Sequence, residues 1–280
     1  MEPAQLGVAA GTAVSARPVS LARRLLGGAG RAALLAYDLA PVVEAAALVH
    51  GLSRSGELLV ACLADDEIPA TTWEHTPLRV RLEVIKEAPE WSVRITSCAV
   101  HLLGVLEWLP DETRAHYLAE AGLHPRMVEL ASAPNGRLGI VRTERVLLHD
   151  CSGVTPFAFA ELVDPGTARA GGFPTADQEW AARDLVGRLT ATELDELFDA
   201  ASGGWESALT LSEGAGGCPH TQRQVFFVDI DRTGLTLMEA EAGFTTVTVL
   251  TFDQPADSIE ELADGLRQLL ESAATAQRAS

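Results

Sequence analysis

The chain has 280 residues, enough for one large domain or two ordinary ones. Hydrophobic residues make up 47% of it and charged residues 21%, a globular balance that excludes a wholly disordered chain. With 39 acidic against 21 basic residues and a net charge of −18, its field repels phosphate backbones and anionic surfaces, so neither nucleic acid nor a membrane is an expected partner.

Residues 1–18 are small, Gly- and Ala-rich and without periodicity, which reads as a disordered tail. Glu2 stands where an export leader needs positive charge, and no run reaches the ~18 apolar residues of a bilayer span, so a cytoplasmic location is expected. Ser20 precedes Leu21, Leu25 and Leu26, a short amphipathic helix ended by Gly27, Gly28 and Gly30. Strand texture follows in Leu34–Tyr37, Val42–Leu52 and Glu57–Ala64.

A hairpin comes next. Leu78, Val80, Leu82 and Val84 alternate with Arg79, Arg81 and Glu83; Val93, Ile95 and Ser97 alternate with Arg94, Thr96 and Cys98. Pairing Val84 with Val93 sets Leu82 opposite Ile95, Glu83 opposite Arg94 and Arg81 opposite Thr96. Two short surface helices (Asp111–Leu123 and Pro125–Ala131) lead into a strand stretch from Ile140 to Cys151.

Asp-Pro-Gly, Gly-Gly and Phe-Pro punctuation marks residues 164–175 as a linker between a first domain, 19–163, and a second, 176–275. The second domain reads as helices over Gln178–Leu189 and Thr192–Ala201, then a loose glycine loop around Gly214, Gly216 and Gly217. A three-stranded meander follows (Gln224–Asp229, Leu235–Ala240, Thr245–Phe252), then an amphipathic helix from Ile259 to Ala273 behind a Ser258/Glu261 capping box. The class is therefore α+β.

The order of these parts resembles the HugZ-type haem-binding and haem-degrading family, relatives of the pyridoxamine-phosphate-oxidase-like flavin-binding barrels. Ala32–Asp38 is similar to the first barrel strand. Val100–Glu107 resembles the long central strand with its L-x-G-x-x-E texture. Val228–Leu235 is similar to the V-D-R-x-G hairpin, and Phe252–Leu266 resembles the entry to the last helix. The resemblance implies an FMN-binding-type split β-barrel followed by a small helix–β-meander–helix domain, a homodimer, and haem as cofactor, with FMN as the alternative. It leaves three functions open: haem binding with or without degradation, a flavin-dependent oxidoreductase, and a non-catalytic interaction module. Thr190–Leu197, where family members commonly carry a His-Met-Asn-x-Asp-His-like helix, has neither His nor Asn.

Two constellations suit such a cofactor. His220 and Cys218, in a glycine-flanked turn, offer the two common axial donors for haem iron. Arg79, Arg81 and Arg94, on one face of the hairpin, suit propionates or a flavin phosphate, because the guanidinium fork bonds oxyanions bidentately. His101, among Val100, Leu102 and Leu103, reads as a buried structural histidine. His149 and Asp150 point to opposite faces, and His50 and His75 stand alone. No G-x-S-x-G elbow and no phosphate-binding glycine loop occurs.

Overall fold

The structure, a computed structural model, describes residues 16–38, 43–64, 77–120, 122–164, 172–205, 207–216 and 218–279. The expected tail up to residue 15, His75, and 165–171 of the expected linker lie outside them. Residues 16–18, expected in the tail, are instead the first turn of helix α1 (16–26), and Arg17 is buried there.

The first sheet contains β1 (Arg31–Ala36), β2 (Val43–Leu52), β3 (Leu58–Leu63), β4 (Leu78–Glu87), β5 (Thr96–Trp108), β6 (Gly136–Arg142), β7 (Arg145–Asp150) and β8 (Gly153–Ala158). Its order is β4-β1-β2-β3-β6-β5-β7-β8, and an added β4–β5 ladder closes six strands into a barrel. The alternation of β4 explains how it closes. Leu78, Val80, Leu82 and Val84 fill the interior, while Arg79, Arg81 and Glu83 face out.

Strand β5 makes the barrel a split one. One edge pairs with β4 along its length. The other pairs with β7 through Cys98–Leu102 and with β6 through Val105–Trp108. The fork falls at Leu103 and Gly104, where the Thr143 hydroxyl lies 2.8 Å from the Leu103 carbonyl and 3.1 Å from that of Arg145. Helices α2 (Asp111–Glu120) and α3 (Pro125–Ser132) cover β3 and β6 over a small core of Leu59, Met127, Leu138 and Ile140. A short helix, α4 (Phe159–Val163), ends this part.

The observed β4–β5 register corrects the one expected from sequence. Val84 faces Val100, Leu82 faces Leu102 and Glu83 faces His101; the loop is 88–95. Both registers match apolar with apolar, but the observed one pairs all of β4 with β5.

After the linker come α5 (Glu179–Val186), α6 (Ala191–Ser202), β9 (Ala208–Ala215), β10 (Gln224–Asp231), β11 (Gly234–Glu241), β12 (Phe244–Thr251) and α7 (Ile259–Ala279). The sheet order is β10-β11-β12-β9, so Gly214, read from sequence as part of a loose loop, lies in a fourth strand that pairs with β12. Helices α5, α6 and α7 pack on one face around Leu197, Phe198, Phe227, Leu235, Leu237, Leu262 and Leu266. Thr190 caps α6 through a reciprocal capping box with Glu193. Among the described residues no helix is long and apolar enough to cross a membrane.

Candidate functional site

The cofactor residues expected from sequence separate into two places. Arg79 and Arg81 stand on the outer face of β4, and each already meets a carboxylate. Arg79 bonds Asp38 at 2.6 and 2.8 Å, and Arg81 bonds Glu83 at 3.2 Å. Arg94 does not join them on the strand. It lies in the 88–95 loop, 3.4 Å from Glu87 rather than opposite Glu83.

His220 and Cys218 are exposed in the turn between β9 and β10, whose backbone is tied to the β11–β12 turn by a hydrogen bond from Ala242 to Thr221 of 2.9 Å. Lys86 meets Asp229 and Glu90 meets Phe227 where the two domains touch. Among the described residues no hydrogen bond or ion pair joins the turn to Arg79, Arg81 or Arg94.

The register brings together a different set. His101 faces outward from β5, only half-buried, which corrects its reading as a buried structural residue. Its core-facing neighbours are Val100 and Leu102. His149, one strand over on β7, packs edge-on against it with ring centroids 4.6 Å apart. Asp150 points to the opposite face, where Arg17 holds it at 2.9 Å. Glu83, across from His101, places a carboxylate oxygen 3.5 Å from its Nδ1. Burial lowers the His101 pKa below the ordinary imidazole value. Glu83 pulls the other way, and His149 and Arg81 add to the depression. A neutral imidazole at neutral pH is the form that binds a metal.

Around the pair the face is largely apolar: Leu147 and Leu35 are half-buried, Leu103 is 68% exposed and Val154 is 57% exposed. The sequence contains this cluster but does not display it, because His101 and His149 meet only through the β5–β7 ladder, in which Ala99 pairs with His149 and His101 with Leu147.

A second assembly joins the two domains. Arg24 of α1 donates to both carboxylate oxygens of Asp229 (2.9 and 3.1 Å) and twice to Glu179 (2.7 and 3.1 Å). Lys86, the sole lysine of the chain, donates to Glu179 at 2.6 Å and to Asp229 at 2.8 Å. Burial disfavours the charges of Asp229 and Arg24. The two cations more than offset that cost for Asp229, whose carboxyl is held well below its usual range, and the two anions do the same for Arg24. Beside the cluster lies a cleft of about 390 Å³ between the domains.

No family model and no curated protein matches the chain. Among solved structures, a heme binding protein from Mycobacterium smegmatis matches over 92% of this chain and 98% of its own, with a TM-score of 0.52 at 17% identity. Campylobacter jejuni ChuZ matches 53% of this chain and 59% of its own, with a TM-score of 0.34 at 9% identity. A Clostridium acetobutylicum protein of the pyridoxinephosphate oxidase family matches 55% of this chain and 98% of its own, with a TM-score of 0.34 at 9% identity. The closed six-stranded barrel, the fork in β5 and the appended four-stranded domain are matched almost end to end by the mycobacterial protein, so this chain has that protein's fold: a split β-barrel carrying a small C-terminal α+β domain.

Proposed function

We propose that the chain is a haem-binding protein and that haem lies against the outer face of the β4–β5–β7–β8 sheet, with an imidazole of the His101–His149 pair on the iron. The observation that carries this reading is the pair itself: two half-buried imidazoles on a largely apolar face, one of them beside a carboxylate. Glu83 favours the tautomer with the proton on Nδ1 of His101, which leaves Nε2 as the donor. Arg81 and Arg79, on the same outer face, are candidate partners for propionates, and Arg94 of the loop is the third. The full-length likeness to a haem-binding protein supports the same reading. Bound haem would supply an iron centre for small ligands or oxygen. The chain's part is to hold the macrocycle, keep the imidazole neutral and limit water. A cytoplasmic location belongs to this reading.

Titration with haemin should give a Soret band. His101→Ala should shift it and weaken binding tenfold or more, about 1.4 kcal/mol. His220→Ala and Cys218→Ala should leave it in place. A Soret band that responds to the turn variants and ignores His101→Ala moves the axial ligand to the turn. Yellow protein with a band near 450 nm and no response to haemin supports the flavin-dependent oxidoreductase instead, and protein that responds to neither supports the interaction module. Loss of the Soret band on adding ascorbate would identify degradation rather than binding alone.

A second copy of the chain completes the site in this reading. Leu103 and Val154 form an exposed apolar patch on the open sheet, and β8 is an edge strand that needs cover. Light scattering should give twice the monomer mass at micromolar concentration. Leu103→Asp, which places a charge in that patch, should give monomers and lose haem in the same step; a haem-loaded monomer would separate the two claims and refute the seam.

A further inference from the structure

We propose that the cleft between the two domains is a second, separate binding site, for a small aromatic carboxylate. Its volume of about 390 Å³ falls within the range of small-molecule sites. Residues of both domains line it: Arg31, Ile85 and Lys86 from the barrel, and Trp180, Arg183 and Phe227 from the C-terminal domain.

The charges on its wall are not equivalent. Arg24, Lys86, Asp229 and Glu179 form a neutral set of two cations and two anions. Within that set the Lys86 ammonium uses two of its three donors, and the third has no acceptor among the described residues. Arg31 and Arg183 also line the cleft, and among the described residues neither is in an ion pair. An anion entering the cleft therefore meets two guanidinium groups that are in no ion pair among the described residues, one of them stacked on Trp180, and one ammonium donor without an acceptor among them. A cation meets carboxylates that are already engaged. Glu87, at the rim, is the exception, and Arg94 lies 3.4 Å from it.

The aromatic preference comes from Trp180. Its indole is 68% exposed, unusual for so large an apolar ring, and the Arg183 guanidinium stacks on it 4.5 Å from the ring centroid. That cation covers one face, and a planar ligand on the other can turn its carboxylate toward Arg31 and Lys86, which line the same cleft. Phe227, 6% exposed, supplies an apolar wall. The site is about the size of a one- or two-ring acid, and it needs neither haem nor a second copy of the chain.

The test uses full-length, haem-free protein and isothermal titration with 1-naphthoate and its neutral counterpart 1-naphthamide. We expect naphthoate to bind and naphthamide to bind at least tenfold more weakly. Trp180→Ala and Arg31→Gln, each at an exposed side chain, should each weaken naphthoate about tenfold. Haemin should not displace it. The proposal is overturned if naphthoate fails to bind at millimolar concentration, if the amide binds as well as the acid, if either variant binds like the unaltered protein, or if haemin competes.

Discussion

Asp229→Asn is expected to destabilise the protein by about 3–5 kcal/mol, the cost of removing one partner from a buried ion pair. The substitution leaves Arg24 and Lys86, both buried, with Glu179 as their remaining carboxylate, so one positive charge stays in the joint uncompensated. For a chain of this size that lowers the melting temperature by about 10 °C. Lys86→Met alone leaves one negative charge uncompensated and should also destabilise. The double variant returns the cluster to one cation and one anion and should recover part of the loss, so a double-mutant cycle should give a favourable coupling above about 1 kcal/mol. Additive losses would mean that the four groups do not act as a unit. The pH arm follows from the depressed Asp229 carboxyl. A carboxylate held lower in the folded than in the unfolded state contributes stability above its unfolded value, about 3.9, and loses it as pH falls toward the folded one. The unaltered protein should therefore show a steep acid-side loss below about pH 4 that Asp229→Asn lacks.

Gly104→Ala should cost about 1–3 kcal/mol although it adds one methyl group. The position is the fork of β5, and a Cβ there would lie 2.5 Å from the Arg142 carbonyl oxygen, a backbone atom that cannot rotate aside. Relief requires β5 and β6 to separate at the point where the second edge of β5 passes from β7 to β6. The loss should appear in chemical denaturation. Amide exchange should rise at Val105–Trp108, the stretch paired with β6, more than at Cys98–Leu102. Wild-type stability would mean that the fork absorbs the methyl by moving.

Most elements were legible because their signal is local. The β4 alternation, the meander and the α7 stripe each follow from spacing within one segment. Strand β8 was missed because Gly153 and Pro156 argue against a strand, and a sheet edge is where Pro is tolerated. Strand β9 was missed for a related reason: Gly214 lies within an edge strand whose side chains are mostly exposed or half-buried. The hairpin register failed because two alternating runs match at more than one offset. Local loop length favoured the shorter ladder, and the fold takes the longer one.

The candidate sites were less legible. Arg79 and Arg81 could be placed on one face from period two alone, whereas Arg94 depended on the register and moved with it. The His101–His149 contact needs the β5–β7 ladder. The Lys86–Asp229 and Arg24–Asp229 bonds join residues 143 and 205 positions apart, a separation over which no sequence pattern reports.

The position of Lys86 has a chemical consequence. Its ε-amine is the only lysine amine in the chain, and its side chain is 11% exposed between two domains. Reagents and enzymes that act on lysine amines therefore have one side-chain target, and they reach it through the cleft or when the domains part. Acylation there would remove the positive charge that the joint requires and place a bulky group in the joint. The rate of Lys86 acylation by an amine-reactive reagent thus reads out how often the joint exposes this amine, through the cleft or by parting of the domains, without any engineered probe.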